Sequence, residues 1–440
     1  MRFRASEVAA AVGGSLHGPD VDVNGAAIDS RQVQGGELFV PVVADRDGHD
    51  FIAAALAAGA AATLTQLAVP DSGNASTIAV ADTGAALLDL GRLARTRLGV
   101  LVVGITGSVG KTSVKDLAAA VLGERYPTAA SERSFNNELG VPLTLANAPD
   151  GTKAAVVEMG ARGRGHIELL CSVARPTVGI VTSVALAHTE LFGSIDEVAA
   201  AKGELVEALP GAGTAVLNAD DERVLAMAAR TRARILRYSM AGGGGAELRA
   251  DDVVLDAELR PRFRLRSPWG DADVVLAVRG EHQVGNALAA AGTALACGAS
   301  PEQVAAGLAT ATLSPWRMEL ARTPEGAVVL NDAYNANPTS MAAALRSLAA
   351  LPARRRFAVL GLMAELGPVS EGEHARMVTL ADEHGIEVIA VGTTAYGIPP
   401  VEGIDGVLAA LGPLDDGDAV LVKGSRVAGL ERVAAALVSR

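Results

Sequence analysis

The residues best suited to chemistry lie in the segment GITGSVGKTS, which follows the apolar run LVV. Gly107 and Gly110 let the backbone close around an anion because they carry no Cβ. Backbone N–H groups at the start of the next helix would point at that anion, and the helix dipole favours negative charge there. Lys111 would reach the outer phosphates of a nucleotide, and Thr112 would hold magnesium. The predicted ATP-binding loop therefore consists of Gly107, Ser108, Val109, Gly110, Lys111, Thr112 and Ser113.

This loop departs from the usual spelling, because Ile105 stands where the common phosphate-loop pattern has its first glycine. A strand, a glycine-containing turn and a helix still follow one another, and that order decides the geometry. A plain glycine-rich connection is the alternative, but Gly-Lys-Thr-Ser after a buried strand favours a nucleotide site. The shorter spelling predicts a tighter loop than motor ATPases and small GTPases have.

Three further side chains suit the same chemistry. Glu158 ends the strand AAVVEM, and the carboxyl ends of parallel strands lie on the ligand side of a sheet. Glu158 is thus either a second magnesium ligand or a solvated strand end. His188 follows another strand in TSVALAHTELFGS, and Lys202 lies on the next helix. From sequence alone, this histidine would be structural and this lysine would face water.

Composition narrows the class of protein. A chain of 440 residues suggests two to four domains, and half of its residues are apolar. The net charge of −12 argues against a nucleic-acid partner, which would need a basic face. Cys171 and Cys297 show neither metal-type spacing nor a disulfide framework, which suits a reducing cytoplasm. No apolar run is long enough to span a bilayer, and the N-terminal segment is too polar for a signal peptide. We therefore expect a cytoplasmic protein with no membrane partner.

The elements that must position these residues form three units. Residues 1–95 alternate short strands and helices and predict a small α/β domain. Residues 96–313 predict a central doubly wound parallel sheet carrying the phosphate loop, with an antiparallel β element over 246–280, where apolar residues alternate with period two. Residues 314–440 predict a C-terminal Rossmann-like α/β domain. The expected fold class is α/β with three domains.

Several motifs, taken in order, identify a family. GITGSVGKTS, SFNNELGVPLTL, VEMGARGRGHI, GEHQVGNALAA, PWRMEL, NDAYNANPTSM and LVKGSR resemble the Mur ligases, which build the peptide of bacterial cell-wall precursors. The compact loop from Gly107 to Ser113 is that family's spelling. SFNNELGVPLT and NDAYNANP are most similar to the branch that adds D-alanyl-D-alanine. The Asp-Asn-Pro-Arg motif of the branch that adds a diamino acid is absent.

This resemblance implies a peptidoglycan-forming ligase that joins D-alanyl-D-alanine to UDP-N-acetylmuramoyl-tripeptide through an acyl phosphate. The implied cofactors are ATP and magnesium at two sites, together with a carbon dioxide-derived carbamate on Lys202. Thr112 and Glu158 would hold one metal; His188 and carbamylated Lys202 would hold the second. Lys111, His188 and Lys202 are the implied catalytic residues. A monomer is expected.

The resemblance also assigns nucleotide contacts outside the loop. Asn286 would contact adenine, although a helix-start cap is its alternative. Arg317 would reach the phosphates from the third unit, with a surface arginine as the alternative, and Asp332 would contact the nucleotide's ribose or loop. Because the site is split over three units, catalysis should need domain closure.

Substrate contacts are implied in the same way. The unit with Asp29-Ser30-Arg31 resembles the domain that holds the uridine nucleotide. Asn335 and Asn337 would face the peptide substrates or act as turn formers. The implied substrate-binding residues are Ser30, Arg31, Asn136, Asn137, Asn335 and Asn337. The rival functions are another amide-forming Mur ligase, a folyl or cyanophycin-type ligase, and a nucleotide switch without ligase activity.

Overall fold

The computed structural model describes residues 1–68, 75–99, 101–132, 134–185 and 192–439. Over these residues the chain forms three α/β units, with sheets of five, nine and five strands, and a separate two-stranded pair. The predicted three-domain α/β fold is confirmed. The domain boundaries at residues 95 and 313 stay predictions. No helix in the described part of the chain is long and apolar enough to cross a membrane.

The N-terminal unit has a small mixed sheet in the order β2-β7-β6-β5-β4, with β1 and β3 paired separately. Its strands are β1 (Arg2–Arg4), β2 (Ser15–His17), β3 (Asp22–Asn24), β4 (Ala26–Ala27), β5 (Leu38–Phe39), β6 (Ala62–Thr65) and β7 (Ser76–Ala79). Its helices are α1 (Ala5–Ala11) and α2 (Ile52–Ala57), with 3-10 turns at Ser30–Gln32 and Gly48–Phe51. Strands β1, β2 and β6 are short, with three, three and four residues.

Helix α3 (Thr83–Arg97) joins this unit to the central one. Asp82 caps its N-terminus by accepting from Ala85 N at 2.8 Å. Leu87 and Leu90 are fully buried, and full burial of a leucine stabilises by about 1.5–3 kcal/mol. Their cluster joins Phe3 of the N-terminal unit to Val141 of the central unit. The N-terminal and central units therefore share one apolar core.

The central sheet has the order β16-β15-β14-β13-β12-β11-β8-β10-β9. Neighbours from β9 to β14 are parallel, and β14, β15 and β16 are antiparallel, which confirms the predicted hairpins. Its strands are β8 (Leu101–Thr106), β9 (Thr128–Ala130), β10 (Ala154–Glu158), β11 (Val178–Val181), β12 (Thr214–Asn218), β13 (Arg234–Ser239), β14 (Leu248–Leu255), β15 (Pro261–Arg266) and β16 (Ala272–Val275). The strand order reverses beside β8, and ligands bind at such switch points in open α/β sheets.

Helices cover both faces of the central sheet. They are α4 (Lys111–Gly123), α5 (Gly140–Ala146), α6 (His166–Ala174), α7 (Ile195–Glu207), α8 (Glu222–Ala226), α9 (Gln283–Ala296) and α10 (Pro301–Thr310), with a 3-10 turn at Met227–Arg230. On one face, α4, α9 and α10 pack together around Leu117, Leu288 and Leu308. This packing fixes the helix that begins at the phosphate loop.

The C-terminal unit has a five-stranded sheet in the order β17-β18-β21-β19-β20, parallel except at β17. Its strands are β17 (Glu319–Arg322), β18 (Val328–Asn331), β19 (Arg355–Leu360), β20 (Glu387–Ala390) and β21 (Asp418–Lys423). Its helices are α11 (Pro338–Ala350), α12 (Ser370–Glu383), α13 (Gly403–Leu411) and α14 (Glu431–Val438), with 3-10 turns at Gly367–Val369 and Arg426–Ala428. Strand β17 is an antiparallel edge strand.

One carboxylate gives the C-terminal unit a measurable acid sensitivity. The Asp418 side chain is 0% exposed and accepts from Arg355 Nε at 2.9 Å and from Asp415 N at 2.9 Å. These bonds, above all those from Arg355, lower the pKa of Asp418 to about 2. Stability from this group is therefore complete above its usual pKa of 3.8 and is lost as pH falls toward 2.

We expect Asp418→Asn to lower the free energy of unfolding at pH 7 by about 2–3 kcal/mol, because hydrogen bonds to a charged group are lost. The variant should also lose part of the stability change between pH 4 and pH 2, as measured by urea unfolding. Asp415→Asn is the control, since that side chain is 59% exposed and an exposed pair contributes little. Equal effects of the two substitutions would contradict this prediction.

A side chain of the central unit also holds the N-terminal sheet. Asn147 Oδ1 accepts from Ala26 N at 2.7 Å, and Asn147 Nδ2 donates to Ala26 O at 2.9 Å. Gly25 has φ 72°, and a Cβ there would lie 2.1 Å from Asn147 Oδ1, so this approach requires glycine. The Asn147 carboxamide therefore makes the pair of hydrogen bonds to the backbone of Ala26 that a neighbouring β-strand would otherwise make.

Asn147→Ala should lower the free energy of unfolding by about 1–3 kcal/mol, because it leaves the backbone groups of Ala26 without these partners. Chemical denaturation measures the effect, and Asn24→Ala on the exposed face of neighbouring β3 is the matched control. A loss no larger than that of the control would show that the pairing does not stabilise the protein.

Candidate active site

The phosphate loop connects β8 to α4 at the carboxyl edge of the central sheet. Gly107 has φ 148° and Gly110 has φ 86°, both favoured by glycine. A Cβ on Gly107 would lie 1.8 Å from Thr182 Oγ1, and one on Gly110 would lie 2.6 Å from Asn286 Oδ1. The loop is thus tightly enclosed by the neighbouring residues.

Side chains and backbone after β11 hold the loop in place. Ser108 Oγ donates to Ala185 O at 3.1 Å and accepts from Ala185 N at 2.9 Å. Thr182 Oγ1 donates to Val109 O at 2.6 Å, and Val109 N donates to Ser183 Oγ at 3.2 Å. These contacts fix the conformation of the loop.

Lys111 folds over this loop. Its Nζ donates to Gly107 O at 2.8 Å and to Ser108 O at 3.4 Å. Burial lowers the pKa of Lys111, Glu158 opposes that shift, and Arg317 adds to it. An anion between Lys111 and Arg317 would relieve this electrostatic cost, so the site suits a phosphate group.

Glu158 is buried at the end of β10, with 1% of its surface exposed. Its Oε1 accepts from Asn136 Nδ2 at 2.8 Å, whereas its buried Oε2 has no hydrogen-bond partner among the described residues. A buried carboxylate oxygen without a partner is costly unless a cation pairs with it. Thr112 is also buried, and both residues line one cleft. The donor set fits magnesium, which prefers oxygen ligands.

The cleft lies between the central and C-terminal units and has a volume of about 700 Å³. It brings most of the predicted site residues together, including Arg317 and Asp332 of the C-terminal unit. Predicted residues that line it are Ser108, Val109, Gly110, Lys111, Thr112, Ser113, Asn136, Glu158, Asn286, Arg317, Asp332, Asn335 and Asn337. Residues of both units therefore line one cleft that contains the phosphate loop.

Arg317 is held by an aromatic ring and by strained backbone. Its Cζ lies 4.2 Å from the centroid of the Tyr334 ring, and its buried Nε has no partner in the described residues. Trp316 and Met318 on either side have φ of 62° and 51°, which is uncommon for residues other than glycine. Tyr334 also hydrogen-bonds Ser134 across the cleft. This arrangement aims a cation into the cleft and disfavours the surface-arginine alternative.

Asp332 is paired with a buried lysine. Its Oδ2 lies 2.5 Å from Lys423 Nζ, and its Oδ1 accepts from Met318 N at 3.2 Å. Lys423 Nζ also donates to Asn335 O at 2.9 Å. Asp332 thus anchors the segment that carries Arg317, in addition to lining the cleft.

The predicted asparagines divide by their local bonds. Asn286 lies one turn inside α9, whose N-cap is His282, so the helix-cap alternative is wrong. Asn337 caps α11 by accepting from Ser340 N at 2.9 Å. Asn137 accepts from Gly140 N at 3.0 Å, and Asn335 accepts from the adjacent backbone N–H. The turn-forming alternative therefore describes the Oδ1 atoms of Asn137, Asn335 and Asn337.

A second cleft, of about 550 Å³, adjoins the first. Lys202 and Asn137 line it, and Lys202 is only 4% exposed. Burial, and then the charge of Lys111, lower the pKa of Lys202 well below its usual value. Lys202 therefore does not face water, contrary to the interpretation from its sequence alone.

Lysine is scarce in this chain. It has five lysines and 33 arginines. Lys115, Lys202 and Lys423 are buried, and Lys111 is half-buried, whereas Lys153 is exposed. Most of the lysines therefore lie in or beside the clefts.

Three predicted site residues are not among those that the structure places at the two clefts. His188 lies outside the described residues, so its proximity to Lys202 is untested. Ser30 and Arg31 line neither cleft; the Arg31 side chain is 87% exposed and lies 2.7 Å from Asp29. Ile28, two residues before Ser30, lines the second cleft. The described residues contain no group of three or more His, Cys, Asp or Glu side chains that could hold a metal.

The lining residues that the sequence interpretation missed include Ser134, Arg162, Tyr334 and Glu365. Ser134 and Tyr334 lie within SFNN and NDAYNANP, so proximity to the predicted asparagines was an available signal. Arg162 and Glu365 follow strands β10 and β19 in loops at the sheet edges, where ligand-contacting residues concentrate.

Comparison with known proteins agrees with this architecture. Residues 105–294 match the Mur ligase middle domain, and residues 316–426 match the Mur ligase, glutamate ligase domain. The UDP-N-acetylmuramoyl-tripeptide–D-alanyl-D-alanine ligase of Mycobacterium tuberculosis is 40% identical over 504 residues, covering 100% of this chain and 98% of that protein. Phosphate loop, cleft and C-terminal unit together are those of an ATP-dependent amide ligase.

Solved structures are similar over the whole chain. MurF from Acinetobacter baumannii has a TM-score of 0.89 and 28% identity, covering 100% of this chain and 99% of that one. MurF ligase from Thermotoga maritima in complex with ADP has a TM-score of 0.83 and 26% identity, and the match covers 95% of this chain and 97% of that one. The chain belongs to the Mur ligase family, within its UDP-N-acetylmuramoyl-tripeptide–D-alanyl-D-alanine ligase group.

Proposed function

We propose that this enzyme joins D-alanyl-D-alanine to UDP-N-acetylmuramoyl-tripeptide and forms the pentapeptide precursor of peptidoglycan, ADP and phosphate. The observation that carries the proposal is that two clefts meet at Lys111. The chain is also 40% identical to the UDP-N-acetylmuramoyl-tripeptide–D-alanyl-D-alanine ligase of Mycobacterium tuberculosis. One cleft holds the phosphate loop, and the other leaves room for a second substrate.

The reaction needs an activated carboxylate, because a free carboxylate is a poor electrophile. Its oxygen attacks the γ-phosphate of ATP and gives an acyl phosphate and ADP; the amine then attacks the carbonyl, and phosphate leaves. Lys111 and the amides of the phosphate loop bind the phosphates, and Arg317 approaches them from the C-terminal unit. These fixed cations and dipoles offset the repulsion between the anions where water is excluded.

Magnesium is the metal that this chemistry implies. We assign Thr112 and Glu158 to one metal, supported by Oε2 of Glu158, which has no hydrogen-bond partner in the described part of the chain. His188 and Lys202, as a carbamate, are assigned to a second. When bound, the metals would neutralise phosphate and carboxylate charge and so favour their approach.

The carbamate is proposed for a physical reason. An ammonium group at Lys202 would repel both Lys111 and a nearby cation. A buried, neutral amine can instead react with carbon dioxide, releasing one proton and leaving a carboxylate-like group on the side chain. Such a group supplies the oxygen ligands that magnesium prefers.

The other assignments follow the domain organisation. We propose that residues 1–95 bind the uridine nucleotide near Ser30 and Arg31, that residues 96–313 bind ATP and that residues 314–440 complete the site. Asn286 would contact adenine; Asn136, Asn137, Asn335 and Asn337 would contact the peptide substrates. We expect a monomer that works in the cytoplasm, and light scattering tests the first point.

The decisive test is ADP release with ATP, magnesium, bicarbonate and UDP-N-acetylmuramoyl-tripeptide. Release should depend on D-alanyl-D-alanine and should be much slower with L-alanyl-L-alanine. Folate in place of the uridine substrate should not support it. Nucleotide hydrolysis that does not depend on an amine would favour a nucleotide switch and contradict the proposal.

A further inference from the structure

The two clefts meet at a junction whose side chains line both. Its members are Lys111, Ser134, Asn136, Arg162 and Glu365. The first four belong to the central unit, and Glu365 comes from the C-terminal unit. Glu365 is also the one carboxylate among the described residues that line both clefts.

A carboxylate at this junction needs an explanation. The proposed reaction brings a triphosphate and a peptide carboxylate together here, and Lys111 and Arg162 suit those anions. Glu365 would repel both reactants. The third reactant is different, because the α-amino group of a dipeptide has a pKa near 8 and arrives largely as a cation. Lys111 and Arg162 repel that cation, whereas Glu365 attracts it.

The backbone of Glu365 is held in an uncommon conformation. Its φ is 63°, in the left-handed region, which costs free energy for a residue other than glycine and is concentrated at functional sites. Ala364 N donates to Ser425 Oγ at 2.9 Å, and Met363 N donates to His374 Nε2 at 2.9 Å. Two side chains from elsewhere in the C-terminal unit therefore fix the residues just before Glu365.

His374 is suited to this bracing role. It is fully buried, and its Nδ1–H donates to Ser370 O at 2.7 Å, which leaves Nε2 as the acceptor for Met363 N. Burial lowers the pKa of His374. Tyr396 packs edge-on against the ring at 4.7 Å and donates its hydroxyl to Gly361 O at 2.8 Å. The Glu365 loop is thus preorganised at the junction.

We propose that Glu365 binds the ammonium group of the incoming D-alanyl-D-alanine and holds its nitrogen next to the acyl phosphate. This inference rests on the proposed function. The ammonium releases one proton to solvent, and the nitrogen lone pair forms the new C–N bond. The bond from the carbonyl carbon to the phosphate oxygen breaks, and the second proton leaves with the phosphate.

The test compares Glu365→Gln with Glu371→Gln, an exposed acid at the start of α12 that lines neither cleft. Glu365→Gln should raise the KM for D-alanyl-D-alanine roughly 10- to 100-fold, because one charged hydrogen bond is lost. The KM for ATP should not change. Borohydride trapping of the acyl phosphate without dipeptide should match the wild type, as should all constants of Glu371→Gln.

Two further measurements isolate the ammonium group. The KM ratio between Glu365→Gln and wild type should shrink as pH rises through about 8, where the dipeptide amine becomes neutral. N-acetyl-D-alanyl-D-alanine, which has no ammonium group, should inhibit both proteins with equal inhibition constants. Circular dichroism and Glu365→Asp, which keeps the charge and should bind the dipeptide better than Glu365→Gln, control for folding.

An unchanged KM for the dipeptide would overturn this inference, as would equal losses in acyl phosphate trapping. A greater KM ratio at high pH, or weaker inhibition of the variant by the N-acetyl dipeptide, would also overturn it. Failure of the proposed function gives a different result, because the wild-type protein itself would then show no dipeptide-dependent ADP release.

Discussion

Lys202→Ala is expected to reduce the rate of dipeptide-dependent ADP release about 1,000-fold, the scale on which removal of a preorganised charged group acts. Lys202 is buried beside Lys111, and both its burial and that neighbour lower its pKa. At pH 8 a much larger share of this amine is therefore neutral, and able to react with carbon dioxide, than of an exposed lysine. Alanine removes the amine on which we propose the carbamate, and with it the two oxygen ligands that the carbamate would supply.

Rescue by short carboxylic acids should distinguish the loss of a metal ligand from a loss of folding in Lys202→Ala. Acetate or formate can occupy the space left in Lys202→Ala. Either acid should raise the rate of ADP release by this variant at least ~10-fold. Lys202→Arg keeps a cation but cannot form the carbamate and should stay inactive without rescue. Lys153→Ala, at an exposed lysine, is the matched control and should be fully active. Full activity of Lys202→Ala would remove the carbamate from the mechanism.

Lys111→Ala is expected to reduce kcat by about 100- to 1,000-fold, because Lys111 supplies fixed positive charge where phosphate is transferred. Its stability should behave differently. Burial lowers the pKa of Lys111, so at neutral pH the ammonium costs folding free energy. Thermal unfolding should therefore occur at the same or a higher temperature in the variant.

Lys111→Arg tests how tightly the loop is built. Lys111 Nζ lies 2.8 Å from Gly107 O, and a guanidinium group is larger and planar. We expect the arginine variant to be nearly as inactive as the alanine variant. Wild-type kcat in Lys111→Ala, measured by ADP release, would contradict the role of this side chain.

The parts of the site that the sequence predicts are those with local signals. Strand, loop and helix around Lys111 follow from a short motif, and Glu158 follows from its place at a strand end. Asn337 looked like either a ligand or a turn former, and the structure shows that it caps a helix. Contacts that join distant segments have no such signal: Ser134 bonds Tyr334, 200 residues later, and Glu365 enters the junction from another unit.

The same limit applies to the fold. Long apolar strands such as β8 and β21 are predicted well, because buried parallel strands are continuously apolar. The short strands β2 and β6 depend on neighbours that a local pattern does not contain. The apolar core that the N-terminal and central units share could not be predicted from local patterns either. Phe3 and Val141 belong to it but are far apart in sequence.

The scarcity of lysine has a consequence for chemical detection. Apart from the N-terminus, the chain has five primary amines, and its other 33 basic side chains are guanidinium groups, which do not add carbon dioxide. A carbon dioxide adduct that is trapped by alkylation and located by mass spectrometry can therefore lie on only a few residues. Three of those amines are buried, so a reagent that labels exposed amines would modify few sites, and an adduct on a buried lysine would be easy to distinguish from them.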